Sequence, residues 1–227
     1  PRSTRVRSTA ASDVYKRQIY NTTMVTETPD SWSIMWDEKY SGQILTFNNS
    51  RDAFGVAQYL LGQSVNTTNP DDWRAAADKL IEQKPLIQSY VMDEVFIKME
   101  DGEAAIAPYY GGDYLTMADV NPDLAFVYPK EGTNIFVDSM CIPANAKNKA
   151  AAELFINFMC EPEVALANAE YLCYLCPNTA VLADDRYTLK DNEVLYPKEE
   201  VKTQYFHNLD QETLDLLAKL WEEVKLA

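Results

Sequence analysis

The chain has 227 residues, a formal net charge of −15 and 47% hydrophobic residues, enough apolar content for one large domain or two small ones. So large an excess of acid disfavours nucleic acid and anionic membrane surfaces as partners and suits a cationic ligand. No window approaches the roughly 18 consecutive apolar residues of a membrane-spanning helix.

Residues 1–18 stand apart. They carry Arg2, Arg5, Arg7, Lys16 and Arg17 against Asp13 alone, lack the apolar run of a signal peptide and show neither helical nor strand period. They read as a non-native or disordered tail outside the fold, which leaves the remainder more acidic than the whole. Next, Ile19–Val25 has apolar ends and β-formers and predicts a short strand or an extended crossover. Pro29-Asp30-Ser31 opens a short helix with Trp32 and Trp36 one turn apart. Gln43–Phe47 reads as a brief buried strand that runs directly into a helix capped by Asn49 or Ser50 and ended by Gly62. A second helix is expected over Asp71–Gln83, with Trp73, Ala76, Ala77 and Leu80 on one face, and a third near Met92–Glu100. Strands follow at Ala104–Tyr109 and Leu124–Tyr128, separated by the Gly111-Gly112 turn and a short helix. Strands alternating with helices predict an α/β architecture with a largely parallel sheet.

From Asn134 the pattern changes. NIFVDSMCIPANAKNK holds a strand, an extended apolar piece and a helix start near Asn148. Helices are expected at Lys149–Cys160 and Glu163–Tyr171. A terminal amphipathic one covers Gln211–Val224, with Leu214, Leu217, Leu220, Trp221 and Val224 on its apolar face. Cys141, Cys160, Cys173 and Cys176 are too sparse for a disulfide framework in a chain this long. Cys173 and Cys176 form a CxxC, but it follows a helix and precedes Pro177, whereas a redox pair opens a helix. The one histidine, His207, is too remote in sequence to complete a zinc set. The cysteines therefore read as structural, the four tryptophans as packing, and no metal or cofactor is expected.

DSMCIPANAKNKAAAELFINFMCEPEVA, residues 138–165, resembles the segment by which polyamine-binding receptors of ABC importers return between lobes. Those receptors have the type II periplasmic-binding-protein fold. SWSIMWDEKYSGQILTFNNSRDAF (31–54), NTTNP (66–70), MEDGEAAIAPYYGG (99–112), VYPKEGTNIFVDS (127–139) and CPNTAV (176–181) support the resemblance, in order and at compatible spacing. It implies two α/β lobes with mostly parallel sheets. Residues 19–137 and 191–227 would form the second lobe, and 138–190 the C-terminal share of an incomplete first lobe whose N-terminal half and signal segment lie outside this chain. It further implies a monomeric receptor, not an enzyme, placed in the periplasm or lipid-anchored on the outer face of the cytoplasmic membrane. Such a receptor closes by a hinge on spermidine or putrescine and docks on the permease subunits.

A polyamine is a string of ammonium groups joined by methylenes. Each buried ammonium needs a carboxylate, and aromatic faces serve both the methylenes and the cations, at roughly 0.5–2 kcal/mol per contact. The resemblance assigns these roles residue by residue. Asn49 and Asp52 occupy the positions of two acids three residues apart, one of them an amide here. Tyr109 ends a strand where tryptophan is common. Phe136 and Asp138 form an aromatic-x-acid pair, with Asp138 the expected main partner of an ammonium group. Tyr174 matches a ligand-contacting tyrosine and His207 a polar position at a terminal amine. Without the resemblance, Asp138 is a strand-end surface acid, Asp52 a first-turn acid favoured by the helix N-terminus, Tyr109 and Phe136 core aromatics, and His207 a solvated histidine. Two further functions compete. Tyr109-Tyr110 also resembles the adjacent tyrosines of ferric-ion receptors of the same fold. An enzyme would need a nucleophile and a base brought together, and the chain has no GxSxG, HExxH, Walker A or GxGxxG motif.

Overall fold

The computed structural model describes residues 13–227, with side chains from Gln18 onward. In chain order the elements are β1 (Asp13–Asn21), β2 (Ile44–Phe47), α1 (Ser50–Leu60), α2 (Pro70–Gln83), β3 (Ile87–Val91), α3 (Glu94–Glu100), β4 (Ile106–Tyr110), α4 (Gly111–Val120), β5 (Leu124–Val127), β6 (Thr133–Val137), α5 (Lys149–Met159), α6 (Pro162–Leu172), α7 (Thr179–Leu182), β7 (Thr203–Tyr205) and α8 (Gln211–Leu226). They fall into a larger unit, Tyr15–Ile135 with Glu199–Ala227, and a smaller one that holds Phe136–Lys198.

In the larger unit β2 pairs parallel with β3 and β4, and β6 parallel with β7. β1 runs against this direction, antiparallel to both β4 and β5. Every residue of β2 is buried, as a strand covered on both faces requires. Helices α1, α2 and α8 pack against one another. They bury Phe54, Trp73, Leu217, Leu220 and Val224, each worth roughly 1.5–3 kcal/mol when taken from water. The tryptophans pack as expected, and three of their indole N–H groups find carbonyls. Trp32 donates to Gly132 at 2.8 Å, Trp36 to Lys79 at 2.7 Å and Trp73 to Thr67 at 3.0 Å. Trp221 sits edge-on to Tyr90, 5.7 Å between ring centroids.

The sequence reading needs correction at four places. Residues 13–18, set aside as part of a tail, belong to β1. The β4 and β5 ladders hold this strand, which has no periodicity of its own to announce it; residues 1–12 of the expected tail lie outside the described residues. Trp32–Trp36 is a 3₁₀ turn, not an α-helix; Ser31 caps it and Asp37 leads into a second such turn. β3 is an edge strand of mixed burial, and β7 has only three residues, so neither shows an apolar alternation in sequence.

The smaller unit gathers α5, α6 and α7 with a polar loop. Its core is small: Ala165, Leu166 and Ala169 of α6, Val181 of α7, and Tyr187. Arg186 pairs with Glu163 at 2.8 Å and Asp184 at 2.7 Å. Helix α5 buries Ile156 but leaves Leu154 70%, Phe155 57% and Phe158 50% exposed. Among the described residues no helix is long and apolar enough to cross a membrane.

Candidate functional site

In open α/β sheets, ligands bind at the carboxyl ends of the strands. In the larger unit β2 ends at Phe47 and the chain turns at once into α1, so the helix N-terminus stands at that end. Asn49 is the cap: its backbone is extended, and its side-chain oxygen accepts from the amides of Arg51 at 3.0 Å and Asp52 at 3.4 Å. Asp52, in the first turn, is 6% exposed. Its Oδ2 accepts a hydrogen bond from the Tyr110 hydroxyl at 3.2 Å. Tyr110 closes β4, the parallel neighbour of β2.

Tyr109, buried, stacks on Phe47 with centroids 5.9 Å apart and lies 4.7 Å from the Tyr110 ring. Burial lifts both phenols above their ordinary range. The charge of Asp52 adds to this at Tyr110, and those of Asp113 and Asp93 at Tyr109. Neutral phenols donate, so Tyr110 keeps its proton toward Asp52. Forming the tyrosinates that ferric iron prefers is correspondingly harder, and among the described residues no group of three or more His, Cys, Asp or Glu is arranged for a metal ion.

His207 is exposed, and backbone bonds tie it to the same turn. Its amide donates to Asn66 Oδ1 at 2.8 Å, and its carbonyl accepts from Arg51 at 3.5 Å. The larger unit therefore gathers Asn49, Asp52 and Tyr109 about the start of α1, with His207 attached through Arg51. The other three expected residues belong to the smaller unit: Phe136, half-buried in β6, Asp138, exposed just beyond it, and Tyr174, half-buried in the loop after α6.

Sequence reasoning missed Tyr110 as the donor to Asp52, and Arg51. The Arg51 guanidinium lies over the Phe206 ring at 4.6 Å and the Trp73 ring at 5.4 Å, and burial brings it down to about 10. Hydrophobic residues at helical spacing around a lone arginine are a weak signal, and nothing local marks Tyr110.

The cysteines are free thiols. Cys173 ends α6 in the left-handed conformation at φ 56°, and burial pushes the Cys176 thiol up, away from a reactive thiolate. A separate cleft of about 220 Å³ is lined by Glu27, Asp30, Asp37 and Tyr40 among others. Glu27 is paired with Lys39 and Asp30 with Lys130, and none of the expected residues reaches it.

Residues 14–194 match the family model described as bacterial extracellular solute-binding protein. The chain is 33% identical over 170 residues to the spermidine/putrescine-binding periplasmic protein of Escherichia coli K12, covering 75% of this chain and 49% of that one. To the putrescine/cadaverine-binding protein of Pseudomonas aeruginosa it is 27% identical over 210 residues, 87% of this chain and 59% of that one. It thus spans about half the length of the curated relatives it matches. Among solved structures, the spermidine/putrescine ABC transporter substrate-binding protein of Streptococcus pneumoniae superposes with a TM-score of 0.82. The two are 31% identical, over 96% of this chain and 68% of that one.

Proposed function

Since the chain belongs to the bacterial extracellular solute-binding protein family, we propose that it is part of a receptor that binds a polyamine outside the cytoplasmic membrane and hands it to the permease of an ABC importer. The observation that carries this reading is Asp52, a buried carboxylate at the carboxyl ends of parallel strands, oriented by Tyr110 beside stacked aromatic rings. A buried carboxylate favours a cationic partner, and the adjoining rings suit methylenes and ammonium groups alike. The named ligands of the relatives, spermidine, putrescine and cadaverine, share that chemistry. Asp138, Phe136 and Tyr174, in the smaller unit, are proposed as ligand contacts on the family resemblance alone. The larger unit is the second lobe of the receptor, and the smaller unit a share of its first. The role is binding, not catalysis, in keeping with the solute-binding relatives.

The test is a thermal-shift titration of the chain with spermidine, putrescine and ferric citrate at millimolar concentration. A ligand bound only by the folded state raises stability by RT ln(1 + [L]/Kd), about 1.4 kcal/mol at tenfold excess over Kd. The amines are expected to raise the unfolding temperature, and ferric citrate not to. Asp52→Asn and Asp138→Ala should each abolish the amine shift. Amine shifts that survive both substitutions sink the assignment, and a coloured iron complex would replace it with the ferric reading.

A further inference from the structure

We propose that Cys173 and Cys176 are a disulfide site: in an oxidising compartment they close to a short ring that pins the turn joining α6 to α7. Cys173 follows the last residue of α6 at φ 56° and ψ 28°, and its amide still donates to the carbonyl of Ala169. Glycine is the usual residue at such a helix end, because a Cβ is unfavourable in the left-handed conformation. Among the described residues Cys173 is the one non-glycine residue with positive φ. A side chain kept where the backbone disfavours one points to a use for it, and what this side chain brings is its sulfur. The chain then bends at Tyr174, and both cysteines are half-buried. Beyond the bend the Cys176 amide donates to the Tyr196 hydroxyl at 3.3 Å. Two residues on, Asn178 caps α7 through the Ala180 amide at 3.0 Å and donates to the carbonyl of Cys160 at 3.1 Å. Both ends of the turn are thus anchored, and the two thiols stay on one short bend.

Closure is two thiol–disulfide exchanges. Cys173, as thiolate, attacks one sulfur of a low-molecular-weight disulfide. That S–S bond breaks, and one thiol leaves with the proton that Cys173 gave up. Cys176 then gives up its proton and attacks the Cys173 sulfur of the mixed disulfide, which releases the second thiol. The two cysteines are oxidised, the reagent is reduced to two thiols, and no other electron acceptor is needed. Burial keeps Cys176 protonated, so the reduced pair gains little from thiolate stabilisation. The closed ring therefore resists reduction, as a structural bond does. The oxidising compartment is the extracytoplasmic one of the receptor proposed above, and the turn carries Tyr174, proposed there as a ligand contact. The bond itself is tested without either.

The full chain is equilibrated with reduced and oxidised glutathione, folded and in urea, then quenched by alkylation and mapped by mass spectrometry. The expected product links Cys173 to Cys176 and leaves Cys141 and Cys160 alkylated. Its equilibrium constant against glutathione should be about tenfold higher in the folded chain than in urea, since a bond that fits the fold is favoured by it. Cys173→Gly should lose the linkage and keep the unfolding temperature of the reduced parent, because glycine accepts the left-handed conformation. Both cysteines alkylated, a linkage to Cys141 or Cys160 instead, or equal constants folded and unfolded overturns the proposal. A glycine variant that unfolds at a clearly lower temperature also overturns it, since Cys173 is then held for its packing. Amine binding has no part in these readouts, so they leave the polyamine reading untouched.

Discussion

Asn66 and Gly132 each hold together segments far apart in the chain. Asn66 Oδ1 accepts from the His207 amide at 2.8 Å and from Arg51 at 3.1 Å, and its Nδ2 donates to the carbonyl of Tyr205 at 2.7 Å. Asn66→Ala leaves those groups to water and should lower stability by about 1–2 kcal/mol in urea denaturation, given a net worth of ~1 kcal/mol per bond and partial exposure. Gly132 has φ +107°, and a Cβ built there would lie 2.7 Å from the carbonyl oxygen of Lys202. The same glycine supplies the carbonyl for Trp32. Gly132→Ala is expected to cost on the order of 2 kcal/mol or more, and a denaturation midpoint equal to that of the parent would refute the close approach. Neither role is legible in sequence. A glycine after Glu131 announces a turn, but the atom that forbids a side chain belongs to a residue 70 positions away.

Helices with caps and a full apolar period were the legible elements. Asn49 and Gly62 bracket α1 as their residue types require, with Gly62 at φ +69°, and Leu217, Leu220 and Val224 of the α8 stripe go into the core as their spacing predicts, while Leu214 of the same stripe stays exposed. Asn49→Ala should cost about 1 kcal/mol through loss of the cap. The end of α8 holds something the stripe does not show. The Lys225 ammonium lies 4.4 Å from the centre of the Tyr90 ring and 5.2 Å from that of Trp221, and it donates to Asn48 Oδ1 at 2.6 Å. Lys225→Met keeps the stem and removes the charge, and is expected to lower stability by about 1 kcal/mol. An equally stable variant would mean that the stem alone holds the helix end. β1 and β3 stayed hidden because strands that borrow their order from neighbours need no pattern of their own. At the candidate site, the pairing of Asn49 with Asp52 was legible because one short stretch of sequence carries both. Tyr110 was named only as half of a metal-binding pair, since its bond to Asp52 spans 58 positions.

For the whole chain, the acid limb of stability follows from exposed carboxylates with fixed partners. Asp184 is pulled down to about 2 by Arg186, Glu163 is lowered by the same guanidinium, and Glu223 by Arg74. The Thr213 amide lowers Asp210 at the cap of α8. Folded-state values below the unfolded ones, near ~4, mean stability that is present above about pH 4 and is lost as pH falls toward 2. Circular dichroism across that range should show the loss, and Arg186→Gln should move it to higher pH. On the alkaline side, burial raises Tyr59, Tyr109, Tyr110 and Tyr187, so their contribution holds below about pH 10 and falls above it. Absorbance at 295 nm should show a subset of the 14 tyrosines ionising only as the chain unfolds. The place of α8 has a consequence of another kind. Leu217, Leu220 and Val224 are parts of the larger core, yet in sequence they lie far from the α1 and α2 residues that share it. Completing that core joins segments of high sequence separation across the whole of the smaller unit's sequence, so the larger unit is expected to fold slowly for its size, which stopped-flow refolding would measure.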